Sequence, residues 1–167
     1  MKPFNFCPSC AASLHNRDEE GAARCASCGR LWYRNPAPTV GCVMVRDARA
    51  LVTVRARAPE KGRTDAPGGF LHVGEDPLDG LKREVREELG VDVDVTHEDF
   101  IQAAPHRYGA DGDWLLSLGY AVRRVSGEPT ASDDVESIEW VVEGQLDGLD
   151  WAWGHDLVLV RRALQRG

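Results

Sequence analysis

The sequence predicts an α/β protein preceded by a small cysteine-rich unit, and three observations support this fold class. Segment 77–89 has the apolar spacing of an amphipathic helix, and β-branched or apolar runs lie on both sides of it. Two Cys-x2-Cys pairs occupy residues 1–33, which hold too few large apolar side chains to form a core. At 167 residues, the chain has room for one ordinary domain, 34–167, after this small appendage.

The elements of the main domain follow from local patterns. Runs at 39–45 and 50–57 predict a β-hairpin, and a loop at 58–66 follows it. Further strands are predicted at 91–95, 100–104, 114–125 and 138–142, with a loop rich in turn formers at 105–113. The last helix, 154–165, carries Leu157, Val160 and Leu164 on one side and is expected to cover the sheet.

Helix 77–89 is the best-defined element. Asp76 is a good N-cap, Pro77 suits the first helical position, and Gly90 can adopt the left-handed conformation that ends a helix. One stripe, expected to pack on a sheet, consists of Leu78, Leu81, Val85 and Leu89. A second stripe is acidic and places Glu84, Glu87 and Glu88 on one face within a single turn.

The acidic stripe predicts a cation site, because three like charges repel and Arg83 and Arg86 offset only part of that cost. Mg²⁺ prefers oxygen ligands and commonly bridges carboxylates to substrate phosphates. The segment just upstream, 67–69, lets the backbone approach such a site, and Gly68 can lend a carbonyl oxygen. The helix alone leaves open the alternative of a solvated acidic face.

The full spacing of this stretch favours the cation site. It reads Gly69-x5-Glu75-x7-Arg83-Glu84-Val85-x-Glu87-Glu88-x-Gly90-Val91, and so resembles the signature of the Nudix hydrolases at every specified position. The resemblance implies an α/β/α sandwich with a mixed sheet, and Mg²⁺- or Mn²⁺-dependent cleavage of a nucleoside diphosphate linked to another group. It further implies metal ligation by Glu84, Glu87 and Glu88 beside the Gly68 carbonyl, with Arg83 and Glu75 orienting these ligands.

Composition argues against some classes of partner. The formal charge of −7 disfavours broad binding to DNA or RNA, which needs a basic surface. No apolar run approaches the length of a membrane span, and residues 1–6 lack the apolar core of a signal peptide. We therefore expect a cytoplasmic protein that binds a small anionic nucleotide through metal.

The paired cysteines, Cys7, Cys10, Cys25 and Cys28, have zinc-ribbon spacing, with 14 residues between the pairs. Disulfides are the alternative, which reducing conditions disfavour. His15 is an alternative ligand, although four thiolates suffice. The remaining Cys42 lies in an apolar run and is expected to be buried. The acidic loop at 18–20 favours a structural or dimer-forming role for this unit over nucleic-acid binding.

Other residues are candidates for holding the substrate and for catalysis. The basic groups expected near the metal loop, and suited to phosphate, are Arg55, Arg57, Lys61 and Arg63. Tyr108 and Trp114 are suited to stacking on a nucleobase. The alternatives are that the basic residues are ordinary solvated charges and that the two aromatic residues are buried. The candidates for the general base are Glu88 and an acid from 133–136, with Asp134 favoured by position and Glu136 second.

Sequence motifs outside the Nudix signature limit the choice of substrate only in part. NADH pyrophosphatases of this family carry Ser-Gln-Pro-Trp-Pro-Phe-Pro-x-Ser, whereas 102–107 here is Gln102-Ala103-Ala104-Pro105-His106-Arg107. The opening, with Asn35-Pro36 and Val40-Gly41-Cys42, is more similar to relatives acting on FAD or ADP-ribose. We expect pyrophosphate hydrolysis to two monophosphates; the alternatives are a nucleoside triphosphate pyrophosphohydrolase and a non-catalytic nucleotide-sensing regulator. Zinc-ribbon relatives favour a homodimer by analogy.

Overall fold

The computed structural model describes residues 5–14, 18, 21–33, 35–109 and 112–166. Its strands are β1 (Ala23–Arg24), β2 (Leu31–Trp32), β3 (Ala37–Arg46), β4 (Arg49–Arg55), β5 (Thr64–Asp65), β6 (Gly68–Phe70), β7 (Asp92–Asp94), β8 (Phe100–Arg107), β9 (Trp114–Val122), β10 (Arg124–Ser126) and β11 (Val135–Val141). Its α-helices are α1 (Pro77–Leu89) and α2 (Gly154–Gln165), and 3-10 helices span His97–Asp99 and Glu143–Gly148. His15 and most of the acidic loop at 18–20 lie outside the described residues.

A mixed sheet of seven strands forms the middle layer of the main domain. Its order is β11-β4-β3-β9-β8, with β5 paired to β4 and β6 paired to β3. The β3–β9 pair is parallel, and the other pairs in this sheet are antiparallel. The small β7–β10 ribbon is separate from this sheet. The central position of β3 places its residues in contact with both faces of the domain.

The two α-helices cover opposite faces of the sheet, as the alternation along β3 shows. Val40, Cys42 and Met44 are buried in one core with Leu81, Val85 and Leu89 of α1. Val43, one step out of that alternation, is buried in a second core with Leu159, Val160 and Ala163 of α2. The α/β/α sandwich with a mixed sheet is therefore confirmed, as is the burial of Cys42 in the core.

Both ends of α1 have the predicted caps. Asp76 accepts a hydrogen bond from the backbone N–H of Leu78, and Pro77 occupies the first helical position. Gly90 ends the helix in the left-handed conformation, with a φ of 67°. These two caps fix the length of the helix, and with it the register of the acidic stripe relative to β6.

The structure differs from the predicted elements in four places. Strand β5, Thr64–Asp65, lies within the predicted loop 58–66 and pairs with β4. Residues 105–107 belong to β8 and not to a loop; Pro105 is tolerated because β8 is an edge strand, where a missing N–H costs no ladder bond. The predicted strand 114–125 is divided into β9 and β10, which pair with different partners. Strand β11 begins at Val135, three residues earlier than predicted, so Glu136 lies within a strand.

The N-terminal unit is small and built around the cysteines. Strands β1 and β2 pair antiparallel, and Phe6 bridges to Ser13. Among the described residues of this unit, the buried apolar ones are Cys7, Leu14, Ala22, Ala23 and Cys25. Five such residues supply little hydrophobic stabilisation, which agrees with the predicted need for a further stabilising element. Within the part of the chain that the structure describes, neither helix has the length and apolar character needed to cross a membrane.

Candidate active site and cysteine cluster

An open cleft of about 260 Å³ lies where the glycine-rich strand β6 meets α1. It is lined by Thr39, Val40, Gly41, Arg55, Asp65, Ala66, Gly68, Gly69, Phe70, His72, Glu84, Glu88, His106, Tyr108, Leu115, Ser117, Asp133, Asp134, Trp153, His155 and Asp156. One wall is acidic and carries two of the predicted glutamates. The other wall is aromatic and polar, and comes largely from β8 and from residues at the start of α2. The two walls therefore offer different chemistry to one ligand.

Close backbone approach by β6 positions the glutamates. Glu88 is 6% exposed, and its Oε2 accepts a hydrogen bond of 2.8 Å from the backbone N–H of Gly68. A Cβ at Gly68 would lie 2.1 Å from the carbonyl oxygen of Val40, and φ there is 147°, so only glycine fits. Gly69 lies directly against the Glu84 carboxylate. Glu87 is half exposed and lies outside the residues that line the cleft.

Arg83 ties the acidic wall together. Its Nε and Nη2 donate to the two oxygens of Glu75 at 2.8 and 2.9 Å, which is a bidentate pair. Its Nη1 donates to Glu84 at 2.6 Å and to Glu87 at 3.3 Å, and its Nη2 also donates to the Phe70 carbonyl. The hydrogen bonds from Arg83 lower the pKa of Glu75 to about 2. Arg83 thus links Glu75 and Glu84 through hydrogen bonds to both carboxylates.

The electrostatics of the acidic wall favour a cation. Burial, followed by the charge of Asp134, raises the pKa of Glu88 to about 9, and burial also raises the pKa of Glu84. These shifts mean that ionisation of Glu84 and Glu88 costs free energy when no cation lies beside them. A hard divalent cation would remove that cost, and carboxylate oxygens are the donors that Mg²⁺ and Mn²⁺ prefer. The chemistry of these donors therefore suits such an ion, whereas among the described residues the group whose ligand atoms already converge is the cysteine cluster described below.

The acidic segment 133–136 contributes unequally to the cleft. Asp133 and Asp134 line it, whereas Glu136 is exposed on β11. Asp133 has a φ of 51° and forms an ion pair of 3.0 Å with Arg57. Asp134 is near enough to Glu88 and Glu84 to raise the pKa of both. The structure therefore places Asp134 with the glutamates and leaves Glu136 outside.

The structure brings only some of the predicted phosphate-binding and stacking residues into the cleft. Arg55 lines the cleft, but its guanidinium donates to Asp65 at 2.7 Å and to the Pro59 carbonyl at 2.9 Å. Lys61 and Arg63 are not among the lining residues, and Arg63 pairs with Glu60 and Asp150. Tyr108 lines the cleft, whereas Trp114 lies outside it with the Arg107 guanidinium 4.9 Å from its ring centre.

Apart from Tyr108, the residues of the aromatic wall were not predicted from the sequence. Trp153 and Tyr108 are nearly parallel, with ring centres 5.6 Å apart, and His106 and His155 stack at 4.0 Å. Burial lowers the pKa of both histidines, to about 4 for His155, so both are neutral near pH 7. Asp156 is 5% exposed, and burial and the neighbouring Asp65 raise its pKa well above the ordinary value. The sequence signal that could have indicated this wall is the run Trp153-Gly154-His155-Asp156 at the start of α2.

The four paired cysteines form a compact cluster. Their Sγ atoms all lie within 4.8 Å of one another, with Cys7 and Cys28 at 3.7 Å and Cys10 and Cys25 at 3.6 Å. These are not disulfide distances, and they approach the ~3.8 Å edge of a tetrahedron with metal–sulfur bonds of about 2.3 Å. The Trp32 indole N–H donates to the Cys7 sulfur at 3.3 Å. The cluster therefore fits a tetrahedral metal ion.

The class of protein is defined by an α/β/α sandwich in which the backbone of the glycine-rich strand β6 lies against α1, the helix that carries the glutamates. Residues 35–163 match the family model described as the NUDIX domain, and the chain belongs to this family. The predicted resemblance is confirmed. NUDIX hydrolases generally use divalent metal ions.

Individual relatives differ in their named substrates. The chain is 30% identical over 147 residues to NAD-capped RNA hydrolase NudC of Stutzerimonas stutzeri, covering 84% of this chain and 49% of NudC. It is 36% identical over 117 residues to putative 8-oxo-dGTP diphosphatase 2 of Mycobacterium tuberculosis, covering 67% of this chain and 77% of that protein. The chain thus spans about half or less of the length of the first curated relatives.

A solved structure matches nearly the whole chain. The crystal structure of a NUDIX hydrolase from Nitrosomonas europaea superposes with a TM-score of 0.73 at 20% identity, covering 97% of this chain and 91% of that one. At this identity the match supports the fold alone. The superposition therefore includes residues outside 35–163, the segment that the family model matches.

Proposed function

We propose that this protein hydrolyses the pyrophosphate bond of a nucleoside diphosphate linked to another group, of the FAD, ADP-ribose or NADH type, with Mg²⁺ or Mn²⁺. The observation that supports this most directly is the cleft itself, whose lining combines acidic groups with aromatic rings. Such a site accommodates a charged diphosphate and a nucleobase at once. The name of the NudC relative, which contains the dinucleotide NAD, agrees with that class.

The residues that would hold the catalytic ion are Glu84, Glu87 and Glu88, with the Gly68 carbonyl beside them. The ion would supply Lewis acidity and neutralise charge on the phosphoryl oxygens. Arg83 keeps Glu84 oriented through its 2.6 Å hydrogen bond, and the Gly68 N–H does the same for Glu88. Two separate anchors therefore fix the carboxylates before the substrate arrives.

Hydrolysis also needs a base that takes a proton from the attacking water. The P–O–P bond breaks, the water oxygen bonds to one phosphorus, and each product leaves as a monophosphate. Asp134 is the candidate we favour because it lines the cleft beside Glu88. Glu136, the second candidate by sequence within this segment, is exposed on β11, and Glu88 itself is the other candidate.

Zinc is our proposal for the cysteine cluster. Residues 1–33 would then form a zinc-stabilised ribbon and 34–167 the NUDIX domain. A ribbon whose described part buries five apolar residues would depend on its metal for folding, which agrees with a structural role. A homodimer remains a prediction from resemblance, and light scattering in solution would test it.

A nucleoside triphosphate is the second candidate substrate. The name of the 36% identical relative, putative 8-oxo-dGTP diphosphatase 2, favours it. The two classes differ in products: the first yields two monophosphates, whereas the second yields a monophosphate and pyrophosphate. Mass spectrometry of the products therefore distinguishes them.

The experiment that tests the proposed function is a substrate panel with Mg²⁺ or Mn²⁺, comprising FAD, ADP-ribose, NADH, dinucleoside polyphosphates and nucleoside triphosphates. Glu88→Gln should lower kcat by about 10²- to 10⁴-fold, as removal of a catalytic group commonly does, and leave the fold intact. Glu139→Gln, on the exposed side of β11, is the matched control. Full activity of Glu88→Gln, or no turnover across the panel with metal bound, would contradict the proposal.

A further inference from the structure

A second cavity, of about 400 Å³, lies at the end of β3 that is remote from the cleft. Its lining includes Met44, Val45 and Arg46 of β3 and Trp140 of β11, and among the described residues none lines both cavities. Val40 of β3 lines the cleft, and the strand from Val40 to Arg46 is about 20 Å long at the usual rise per residue. The second cavity is therefore a separate site, and it has the size of a small-molecule site.

The second cavity exists because β9 leaves the sheet before β3 ends. The parallel pairing of β3 with β9 ends at Met44 and Val122. The chain then enters β10, which pairs with β7 in the separate ribbon, whereas β3 continues beside β4 as far as Arg46. A gap therefore opens between the end of β3 and β10. Val45 lines the cavity from β3 and Val125 lines it from β10, which places the cavity in this gap.

Part of the lining of the second cavity is apolar. Val125, Pro129 and Trp140 are half-buried, and Val125 and Trp140 pack against the core beneath α1. The Arg46 guanidinium lies over the Trp140 ring, 4.5 Å from its centre, so a ligand meets the edge of this ring and does not stack on the covered face. Apolar surface that is still partly exposed in a concave site favours an apolar ligand, because binding removes both surfaces from water.

The charged residues of the second cavity leave one cation available. Among the described residues, the charged ones that line it are Arg46, Arg123 and Glu128. Arg46 Nη1 donates to both carboxylate oxygens of Glu128, at 3.0 and 3.2 Å, so these two charges offset each other. Arg123 is exposed and donates to the Ala163 carbonyl at 3.3 Å, and none of the described carboxylates forms an ion pair with it. In a chain with a formal charge of −7, the cavity thus has a local positive charge that attracts an anion.

We propose that the second cavity binds a small organic carboxylate with an apolar body, with Arg123 holding the carboxylate and the apolar body lying against Val125, Pro129 and the edge of Trp140. A guanidinium has five N–H donors, so Arg123 can bind a carboxylate while it retains its hydrogen bond to Ala163. Apolar surface alone would favour an uncharged ligand, and an exposed arginine alone would favour a bare inorganic anion. The presence of both in one cavity indicates a ligand that has both parts.

Three matched probes separate the two parts of this ligand. Hexanoate has both parts, acetate has only the carboxylate, and 1-hexanol has only the chain. In an NMR titration of the full chain, the indole N–H signal of Trp140, identified by its loss in Trp140→Phe, should give a Kd for hexanoate at least about tenfold lower than for either other probe. The signal of Trp153, which lines the cleft, should not shift. No shift of the Trp140 signal with millimolar hexanoate, similar Kd values for the three probes, or a shift of the Trp153 signal alone would overturn the inference.

Variants assign the carboxylate to one side chain. Arg123→Ala should raise the Kd for hexanoate about tenfold and leave the Kd for 1-hexanol unchanged, because only the hydrogen bonds to the carboxylate are lost. Arg161→Ala is the matched control, since it removes the same charge from a residue that pairs with Asp147 and does not line the cavity. Wild-type affinity for hexanoate in a folded Arg123→Ala protein would contradict the inference. If Arg123→Ala fails to fold, the three probes with the wild type still decide, and no measurement here depends on turnover or on the proposed function.

Discussion

Substituting Gly69 by alanine should damage the catalytic site without damaging the fold. An added Cβ would lie 2.6 Å from each carboxylate oxygen of Glu84 and 2.5 Å from its Cδ. Carbon and oxygen rarely approach below about 3.4 Å, so the carboxylate must move by about 0.8 Å. The backbone at position 69 is outside the left-handed region, so alanine itself adds no conformational strain. The cost therefore falls on the position of the carboxylate.

The size of the effect follows from that displacement. Glu84 is held by Arg83 at 2.6 Å, so the moved carboxylate also loses part of its anchor. A misplacement near 1 Å can cost a factor of about 100 in rate, and loss of an orienting partner commonly costs about 10- to 100-fold in metal affinity. We expect kcat/KM to fall by about 10- to 100-fold and Mn²⁺ to bind about tenfold more weakly.

Three measurements decide the outcome. Calorimetry gives the Mn²⁺ affinity without any substrate, steady-state kinetics gives kcat/KM, and thermal unfolding reports the fold. Gly144→Ala is the matched control, because a Cβ there meets nothing within 4 Å and the residue does not line the cleft. Wild-type Mn²⁺ affinity and kcat/KM in Gly69→Ala would refute the argument that close backbone approach at position 69 positions Glu84.

Two further predictions concern stability. His155 is neutral in the folded protein, where burial and His106 lower its pKa to about 4, whereas the unfolded chain takes up a proton below about 6.5. As the pH falls from 7 to 4, the free energy of unfolding of the wild type, relative to that of His155→Asn, should therefore fall by up to about 3 kcal/mol. Denaturant unfolding of both proteins measures this difference, and a difference that stays constant with pH would contradict the prediction. Cys25→Ser or excess chelator should raise amide exchange in 5–33 and spare α1 and β3, since structural zinc contributes on the order of 10 kcal/mol; unchanged exchange would count against a metal-stabilised ribbon.

The parts of the fold that local chemistry determines were predictable. Helix α1 has its N-cap, its proline and its C-terminal glycine within the segment itself, and the observed bounds match the prediction. The hairpin of β3 and β4 was also expected, although its turn is tighter than predicted. Asp47 and Ala48 alone form it, both with positive φ, as a two-residue hairpin turn requires.

Burial and long-range pairing were not predictable in the same way. Arg55 has the same charge in the sequence as Arg57, but only Arg55 lies beside Asp65, so its guanidinium is occupied inside the fold. Strand β8 extends through Pro105 because it pairs with β9 along its length. Nothing in the local sequence indicates that the strand continues past this proline. Both outcomes depend on residues that are distant along the chain.

The same distinction applies to the two walls of the cleft. The acidic wall is mostly one helix and the strand before it, so its spacing is readable in 23 consecutive residues. The aromatic wall combines Asp65, His106 and Asp156 from three separate elements, which only the finished sandwich brings together. The residues of this wall are therefore not readable from any one continuous segment of the sequence. The carboxylate signature therefore identifies the chemistry, and the substrate must be sought in residues that the signature does not contain.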